Sequence, residues 1–285
     1  MSIWNDLSWV EGIRTPFFNF FFYNISLTGY PIFLFLFIAF GYFFWSPQRF
    51  SRVAMLLFIS AVINSFLKDF FQDPRPPADF MLDGGTGTSY GWPSGHAQIA
   101  VTLWGLLAYE LKNKFISIGA ITFILLVAFS RMYLGVHDLG DVFAGLIIGG
   151  FILLLWHYAV VYKLNEKFDK FSWFFILIAF QFFVHLIYPS HEGHEISNWL
   201  LGAMTGWFLG ASNLVLASNN LIKLLLSLIS TVAVFFLMIF LFQLEELVEL
   251  SGLISILYSY SLGLFFSIFV SWVIPRFWKL FNLAN

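Results

Sequence analysis

The chain has 285 residues, of which 60% are hydrophobic, 21% aromatic and only 11% charged, against roughly 25% charged in an ordinary soluble domain. So much apolar surface excludes a soluble single domain, and the abundance of aromatics excludes a disordered chain. A net charge of −2 offers no basic face for nucleic acid, and zero cysteines remove disulfides, thiolate catalysis and Cys-ligated metals together.

The N-terminal stretch MSIWNDLSWVEGIRTP carries no basic region ahead of an apolar core, so it is not expected to be a cleaved signal; Trp4 and Trp9 suit an interfacial segment over 1–29. Nine apolar runs follow, near 30–46, 54–71, 94–110, 115–130, 139–162, 172–188, 198–217, 221–242 and 253–274. Each is close to the length that crosses a bilayer. Absence of a two-residue alternation predicts helices rather than a barrel, hence an all-α polytopic membrane bundle of about nine transmembrane helices. The first five spans are expected to form one core, 30–162, and the last four a further helical bundle, 163–285. Gly145 and Gly149 are spaced by four on the fifth span, as are Gly202, Gly206 and Gly210 on the seventh. Small residues at that spacing predict close helix packing. No internal repeat is visible, which gives no support to an inverted-repeat transporter.

Alternation of nine spans places the N-terminus and the loops at 72–93, 131–138, 189–197 and 243–252 on one side. The other side then holds ten of the fourteen basic residues, among them Arg49, Arg52, Lys112, Lys114, Lys223, Arg276 and Lys279. The positive-inside rule makes that side cytoplasmic, with the N-terminus out and the C-terminus in. A bacterial inner membrane with periplasmic loops and an endoplasmic reticulum membrane with luminal loops satisfy the charge map equally.

Apart from Arg14, the extracytoplasmic side keeps only Lys68, Arg75 and Arg131 as cations, each beside an apolar span. Lys68 and Arg75 fall in KDFFQDPRP. Pro93-Ser94-Gly95-His96 opens the third span, and Ser130-Arg131, then His137 and Asp141, bridge the fourth and fifth. Alternation brings all three segments to one membrane face. Lys and Arg neutralise a phosphate and hold its oxygens. A helix beginning at Pro93-Ser94-Gly95 points free N–H groups at an anion, and Gly95 permits close backbone approach. His137 and Asp141, four apart, share a face if the fifth helix begins by His137, so that Asp141 accepts the Nδ1–H and leaves Nε2 as a nucleophile. His96, at the start of the third span, is placed to give a proton to a leaving oxygen.

These segments resemble the signature KxxxxxxRP, PSGH and SRxxxxxHxxxD of the type 2 phosphatidic acid phosphatase superfamily, with every fixed position matched over Lys68–Asp141. The resemblance implies that His137 attacks phosphorus, that His96 protonates the leaving group, and that Lys68, Arg75 and Arg131 hold the phosphate with help from Ser94 and Gly95. It implies no metal and no cofactor. Six-span members of the family carry the first motif after the third span; here it follows the second, a layout that resembles sphingosine-1-phosphate phosphatases and glucose-6-phosphatase. The function expected is therefore a membrane phosphatase hydrolysing a lipid phosphomonoester, a lipid phosphate or sphingoid-base phosphate, through a phosphohistidine. Alternatives are a polyprenyl diphosphate or soluble sugar-phosphate phosphatase and, from another class, a channel or transporter. The expected partners are the phosphorylated lipid and the bilayer.

The stretch SHEGHE, with His191, Glu192, His194 and Glu195, lacks the HExxH spacing and a third ligand, and reads as a solvated loop. His157 and His185, inside spans, are expected in interhelical hydrogen bonds. Asp69, Asp73, Asp79 and Asp83 read as a solvated acidic loop.

Overall fold

The computed structural model describes residues 6–85, 89–163, 169–188, 194–210, 220–248, 250 and 252–280. Among them the elements are all helical. Helix α1 spans Ser8–Glu11, α2 Pro16–Leu27, α3 Pro31–Phe40, α4 Pro47–Phe71, α5 Gly95–Leu111, α6 Lys114–Tyr133 and α7 Leu139–Val161. They are followed by α8 (Lys170–Ile187), α9 (His194–Gly210), α10 (Asn220–Leu247), α11 (Gly252–Ile268) and α12 (Ile274–Leu280). Single π-helical turns, Gly41–Trp45 and Phe269–Val273, extend α3 and α11.

The helices at 47–71, 114–133, 139–161, 220–245 and 252–280 are long and apolar enough to cross a membrane, and a sixth span results if α2 and α3, bent by 57° at their junction, are taken together. The nine expected runs each overlap a described helix, but only these five, or six with the bent pair, are long and apolar enough to cross: α5 and the described part of α9 have 17 residues each, and the apolar part of α8 is the shorter stretch Phe171–Val184. The Phe-rich run after Pro16 is a separate helix, α2. It starts where the Thr15 side chain accepts from the Phe18 N–H and Pro16 occupies the first helical position. Trp9 lies in α1 and is exposed; Trp4 lies outside the described residues.

The chain forms two compact units. One gathers the described residues of Met1–Phe33, Ile59–Phe168 and Tyr188–Gly193. Within it α5 and α6 are joined by a tight turn: Lys112 takes a left-handed conformation, and the Asn113 side chain caps α6 through the N–H groups of Phe115 and Ile116. α7 lies on α5 at Gly145 and Gly149. A Cβ on Gly145 would come within 2.5 Å of the Ser94 carbonyl oxygen, and one on Gly149 within 2.7 Å of that of Gln98. Ala97, Ala128 and Val142 fill the space between the three helices. His157 Nδ1 lies 3.0 Å from the Tyr109 hydroxyl, the expected interhelical bond.

The other unit gathers Leu34–Phe58, Asp169–Ile187 and the described part of His194–Asn285. Here Gly202 and Gly206 of α9 and Gly263 of α11 face the partner helix's backbone with no room for a side chain. Tyr42, Phe43, Phe58, Trp207 and Trp278 form a buried aromatic core, and the Tyr42 hydroxyl donates to the Ser271 carbonyl at 3.1 Å.

Candidate active site

The end of α4, the start of α5, the end of α6 and the start of α7 meet at one end of the first unit. Two chain-level devices bring their side chains there. The first is a C-terminal Schellman motif on α6. Gly135 adopts φ +71, the Val136 N–H bonds the Arg131 carbonyl at 3.2 Å, and the Gly135 N–H bonds that of Met132 at 2.9 Å. A Cβ on Gly135 would collide with the Phe80 carbonyl oxygen. The reversal turns the chain so that His137 follows Arg131 back into the same end. The second device is the capping box of α7, in which Asp138 and Asp141 cap each other's backbone. The helix begins at Leu139, not by His137, so His137 and Asp141 do not share a helical face. Their pairing comes from the cap: Asp141 Oδ2 accepts both the Asp138 N–H at 3.3 Å and His137 Nδ1 at 2.9 Å.

His137 and Asp141 are each 2% exposed. With Nδ1 donating to Asp141, His137 Nε2 carries the lone pair, and Arg75 Nη1 lies 3.3 Å from it. Burial, and then the charges of Lys68, Arg75 and Arg131, hold the His137 pKa well below the usual histidine value, so the ring is neutral. Burial and the neighbouring Arg131 lower the Arg75 pKa to about 10, which leaves it charged at neutral pH.

Each motif is tied to the next. Lys68 Nζ donates to the carbonyls of Tyr90 and Gly91, the latter at 2.9 Å. Arg75 Nη1 also donates to the Val136 carbonyl at 2.9 Å, while its Nε and Nη2 hold Ser89. The Ser94 N–H donates to the Asp141 carbonyl at 3.0 Å. Gly95 begins α5 and Ser94 is its N-cap residue, so Pro93 lies before the helix rather than in its first turn. Its carbonyl accepts from Asn64 Nδ2 at 3.2 Å.

Around this centre are polar residues that the motifs do not include. Asn64, one turn before Lys68 on α4, also donates to Gln98 Oε1 at 3.0 Å, and Gln98 returns bonds to Ser60. Asp69 and Asp83 are 6% and 3% exposed, so neither is part of a solvated acidic loop. Asp69 accepts from the Tyr188 hydroxyl at 2.7 Å, and Asp83 pairs with Arg131 at 2.9 Å. Burial opposes ionisation of Asp83, but bonds from Tyr30 and Gly85, with Arg131, outweigh it and hold its pKa below the usual value. The visible signal was a single acidic residue beside Gly84-Gly85 in a loop rich in carboxylates, which does not distinguish a buried Asp from a solvated one. His191 and Glu192 lie outside the described residues, and among the described residues no three of His, Asp and Glu group as a metal site.

Several buried polar atoms at this end have no partner: Ser94 Oγ, His96 Nε2, Arg131 Nε and Asp141 Oδ1. Orphaned buried groups are rare in a folded protein and call for an explanation. Most of these are donors or can become so, and they are contributed by the second and third motifs.

The family model described as PAP2 superfamily matches residues 49–166, which contain every motif position. Lipid A 4'-phosphatase of Bacteroides thetaiotaomicron is 30% identical over 177 residues, covering 56% of this chain and 77% of that protein. Phosphatidylglycerophosphatase B of Bacillus subtilis is 30% identical over 172 residues, covering 56% and 81%. Sphingosine-1-phosphate phosphatase 2 of Homo sapiens is 27% identical over 149 residues, covering 48% of this chain and 37% of that protein.

Proposed function

The chain belongs to the PAP2 superfamily and is a membrane phosphatase acting on phosphomonoesters, and we propose that it hydrolyses a lipid phosphate or sphingoid-base phosphate through a phosphohistidine. The observation that carries this reading is the set of orphaned buried atoms, Ser94 Oγ, His96 Nε2 and Arg131 Nε, beside a histidine whose Nε2 lone pair is free of Asp141. A phosphate gives each of them a partner.

In the first half-reaction His137 Nε2 donates its pair to phosphorus as the P–O bond to the lipid breaks. His96 takes a proton at Nε2 from the entering phosphate and passes that proton to the leaving alkoxide. Asp141 stabilises the positive charge on the phosphorylated ring. In the second half-reaction water attacks phosphorus, its proton returns to His96, and the N–P bond breaks. Lys68, Arg75 and Arg131 hold the phosphoryl oxygens, with Ser94 and the Gly95 backbone assisting. Arg75 leaves its contact with His137 Nε2 for a phosphoryl oxygen as substrate enters. These cations supply the charge that a divalent metal supplies elsewhere, so the reaction is proposed to be metal-independent.

A lipid is favoured because the site lies at the ends of membrane-length helices, where a headgroup reaches His137 while its tail stays in the bilayer. The relatives named above are called phosphatases of lipid A, phosphatidylglycerophosphate and sphingosine 1-phosphate. We further propose nine spans, with the N-terminus out, the C-terminus in and the site extracytoplasmic, built as a catalytic core over 30–162 and an accessory bundle over 163–285.

The test is phosphate release by the purified chain in EDTA from a sphingoid-base phosphate, phosphatidate, a prenyl diphosphate and glucose 6-phosphate. Release from the two lipid monoesters first is expected. Faster release from the diphosphate or the sugar phosphate replaces the substrate assignment, no release at all favours a channel or transporter, and activity only with added Mg²⁺ or Zn²⁺ removes the mechanism. Enzyme denatured at alkaline pH, where an N–P bond survives, should retain phosphate in the wild type and none in His137→Ala.

A further inference from the structure

Ser26 and Tyr30 belong to the N-terminal part of the chain, outside the three motifs, and Asp83 to the loop between the first two. All three converge on motif residues. Arg131 is 1% exposed, and its Nη1 is fully engaged: it donates to Asp83 Oδ2 at 2.9 Å and to the Ser26 hydroxyl. Its Nε, on the opposite edge of the guanidinium, has no partner. A guanidinium binds an oxyanion bidentately through such an edge. The bonds to Nη1 therefore decide which way the free edge faces.

The same residues hold His96. Its ring meets the Tyr30 ring edge to face with centroids 4.7 Å apart and bonds the Ser26 backbone, while its Nε2 has no partner. A Cβ on Gly29 would overlap the His96 ring. The Tyr30 hydroxyl donates to Asp83 Oδ2 at 2.7 Å, the Gly85 N–H caps Asp83 Oδ1 at 3.0 Å, and the Arg131 guanidinium lies 5.9 Å from the Tyr30 ring centroid. Asp83 is thus fixed from both oxygens, and one Ser–Tyr–Asp cluster braces a phosphate-binding edge and a proton donor together.

We propose that Asp83 is a positioning residue of this phosphatase: acting with Ser26 and Tyr30, it turns the Nε edge of Arg131 toward the substrate phosphate and keeps that edge in register with His96. The inference rests on the phosphatase reading of the same site. It differs from a structural ion pair in one consequence: the benefit of Asp83 must pass through the forked geometry of Arg131, which lysine lacks.

The experiment uses the full chain in lipid nanodiscs and orthovanadate, whose five-coordinate form resembles the transferring phosphoryl group. Vanadate inhibition, kcat/KM and thermal stability are measured for wild type, Asp83→Asn, Tyr30→Phe, Arg131→Lys and the double variant Asp83→Asn/Arg131→Lys. Asp83→Asn should weaken vanadate inhibition by about tenfold or more, the scale of a lost hydrogen bond to a charged group. Tyr30→Phe, which keeps the ring on His96 and loses only the hydroxyl, should do the same to a smaller extent. In the double variant vanadate inhibition should be no weaker than in Arg131→Lys alone, since the geometry Asp83 maintains is already gone. Strictly additive losses in the cycle overturn the proposal, as does unchanged vanadate inhibition in Asp83→Asn and Tyr30→Phe with only a lower melting temperature. If Asp83→Asn does not fold, the result for Tyr30→Phe decides. A wild type that binds vanadate, as titrated by its thermal shift, but hydrolyses none of the esters contradicts the substrate assignment and leaves the positioning role measurable by vanadate. A wild type that does neither contradicts the phosphatase reading itself.

Discussion

His137 is held neutral by burial and by three neighbouring cations, and this fixes how activity must depend on pH. As the proposed nucleophile it works only unprotonated. Its folded pKa lies well below the ordinary value, so kcat/KM should remain on its plateau at pH ~6.5, where a free histidine is half protonated, and fall only at lower pH. Arg75→Gln removes one of the depressing charges and should move the acidic limb upward while weakening substrate binding. A pH–rate profile of the two proteins checks this, and an acidic limb at the free-histidine value in the wild type would contradict the burial argument. The sign for folding is the same. Below pH ~6.5 the unfolded chain takes up a proton that the folded site refuses, so stability declines as pH falls through that range. Asp141→Asn should fold yet turn over slowly. An amide can donate as well as accept, so it no longer fixes the His137 tautomer, and the analogous change in a serine protease triad costs ~10⁴ in rate. Near-normal turnover would mean that the Arg75 contact at Nε2 orients the ring without the carboxylate.

At the scale of elements, the motif residues were legible because their spacing is a chemical requirement that survives in one dimension. Lys68, Arg75, His96, Arg131, His137 and Asp141 were all readable, and they meet at one end of the first unit. How they meet was less legible. The expected helical face linking His137 to Asp141 is instead a capping box after a Schellman turn, and the residue that permits the turn, Gly135, carried a readable signal as a glycine just past a helix end. Asn64, Gln98, Ser26 and Asp83 were not readable, since a polar residue within an apolar run or an acidic loop looks the same whether it faces lipid, water or a buried partner. Helix lengths were blurred for a related reason. Hydropathy locates apolar runs, but local caps set the ends: Thr15 and Pro16 start α2, and the left-handed Lys112 closes α5. Gly135→Ala tests the turn. It forces an alanine into a left-handed conformation and against the Phe80 carbonyl, a strain of about 1–3 kcal/mol. Melting temperature should drop, and kcat should fall by more than tenfold because His137 is carried on the turn. Unchanged kcat in a folded variant would show that the capping box alone positions His137.

At the scale of the whole molecule, the proposed sidedness of the site follows from the distribution of charge. With ten of fourteen cations assigned to the opposite side, the bias over short loops should orient the chain with its site away from the cytoplasm. The chain has no cysteine, so any single cysteine is a clean reporter. Asp79 lies exposed in the loop that follows Arg75, and Lys114 lies exposed at the far end of α5, where α6 begins. Asp79→Cys should react with an impermeant maleimide on intact cells or sealed vesicles of native orientation, and Lys114→Cys only after lysis. The reverse pattern would place catalysis on the cytoplasmic side and discard the charge argument. Two exposed positions in the other unit extend the test to the number of crossings: Val248 follows α10, and Asn220 begins it. Nine spans require Val248→Cys to label with Asp79→Cys, and Asn220→Cys with Lys114→Cys. If Asn220→Cys labels from the outside together with Asp79→Cys, an odd number of crossings has been lost or gained between α7 and α10. One of α8 and α9, neither of which is among the helices long and apolar enough to cross, is then the helix that does not span, while the proposed catalytic end of the first unit keeps its assignment.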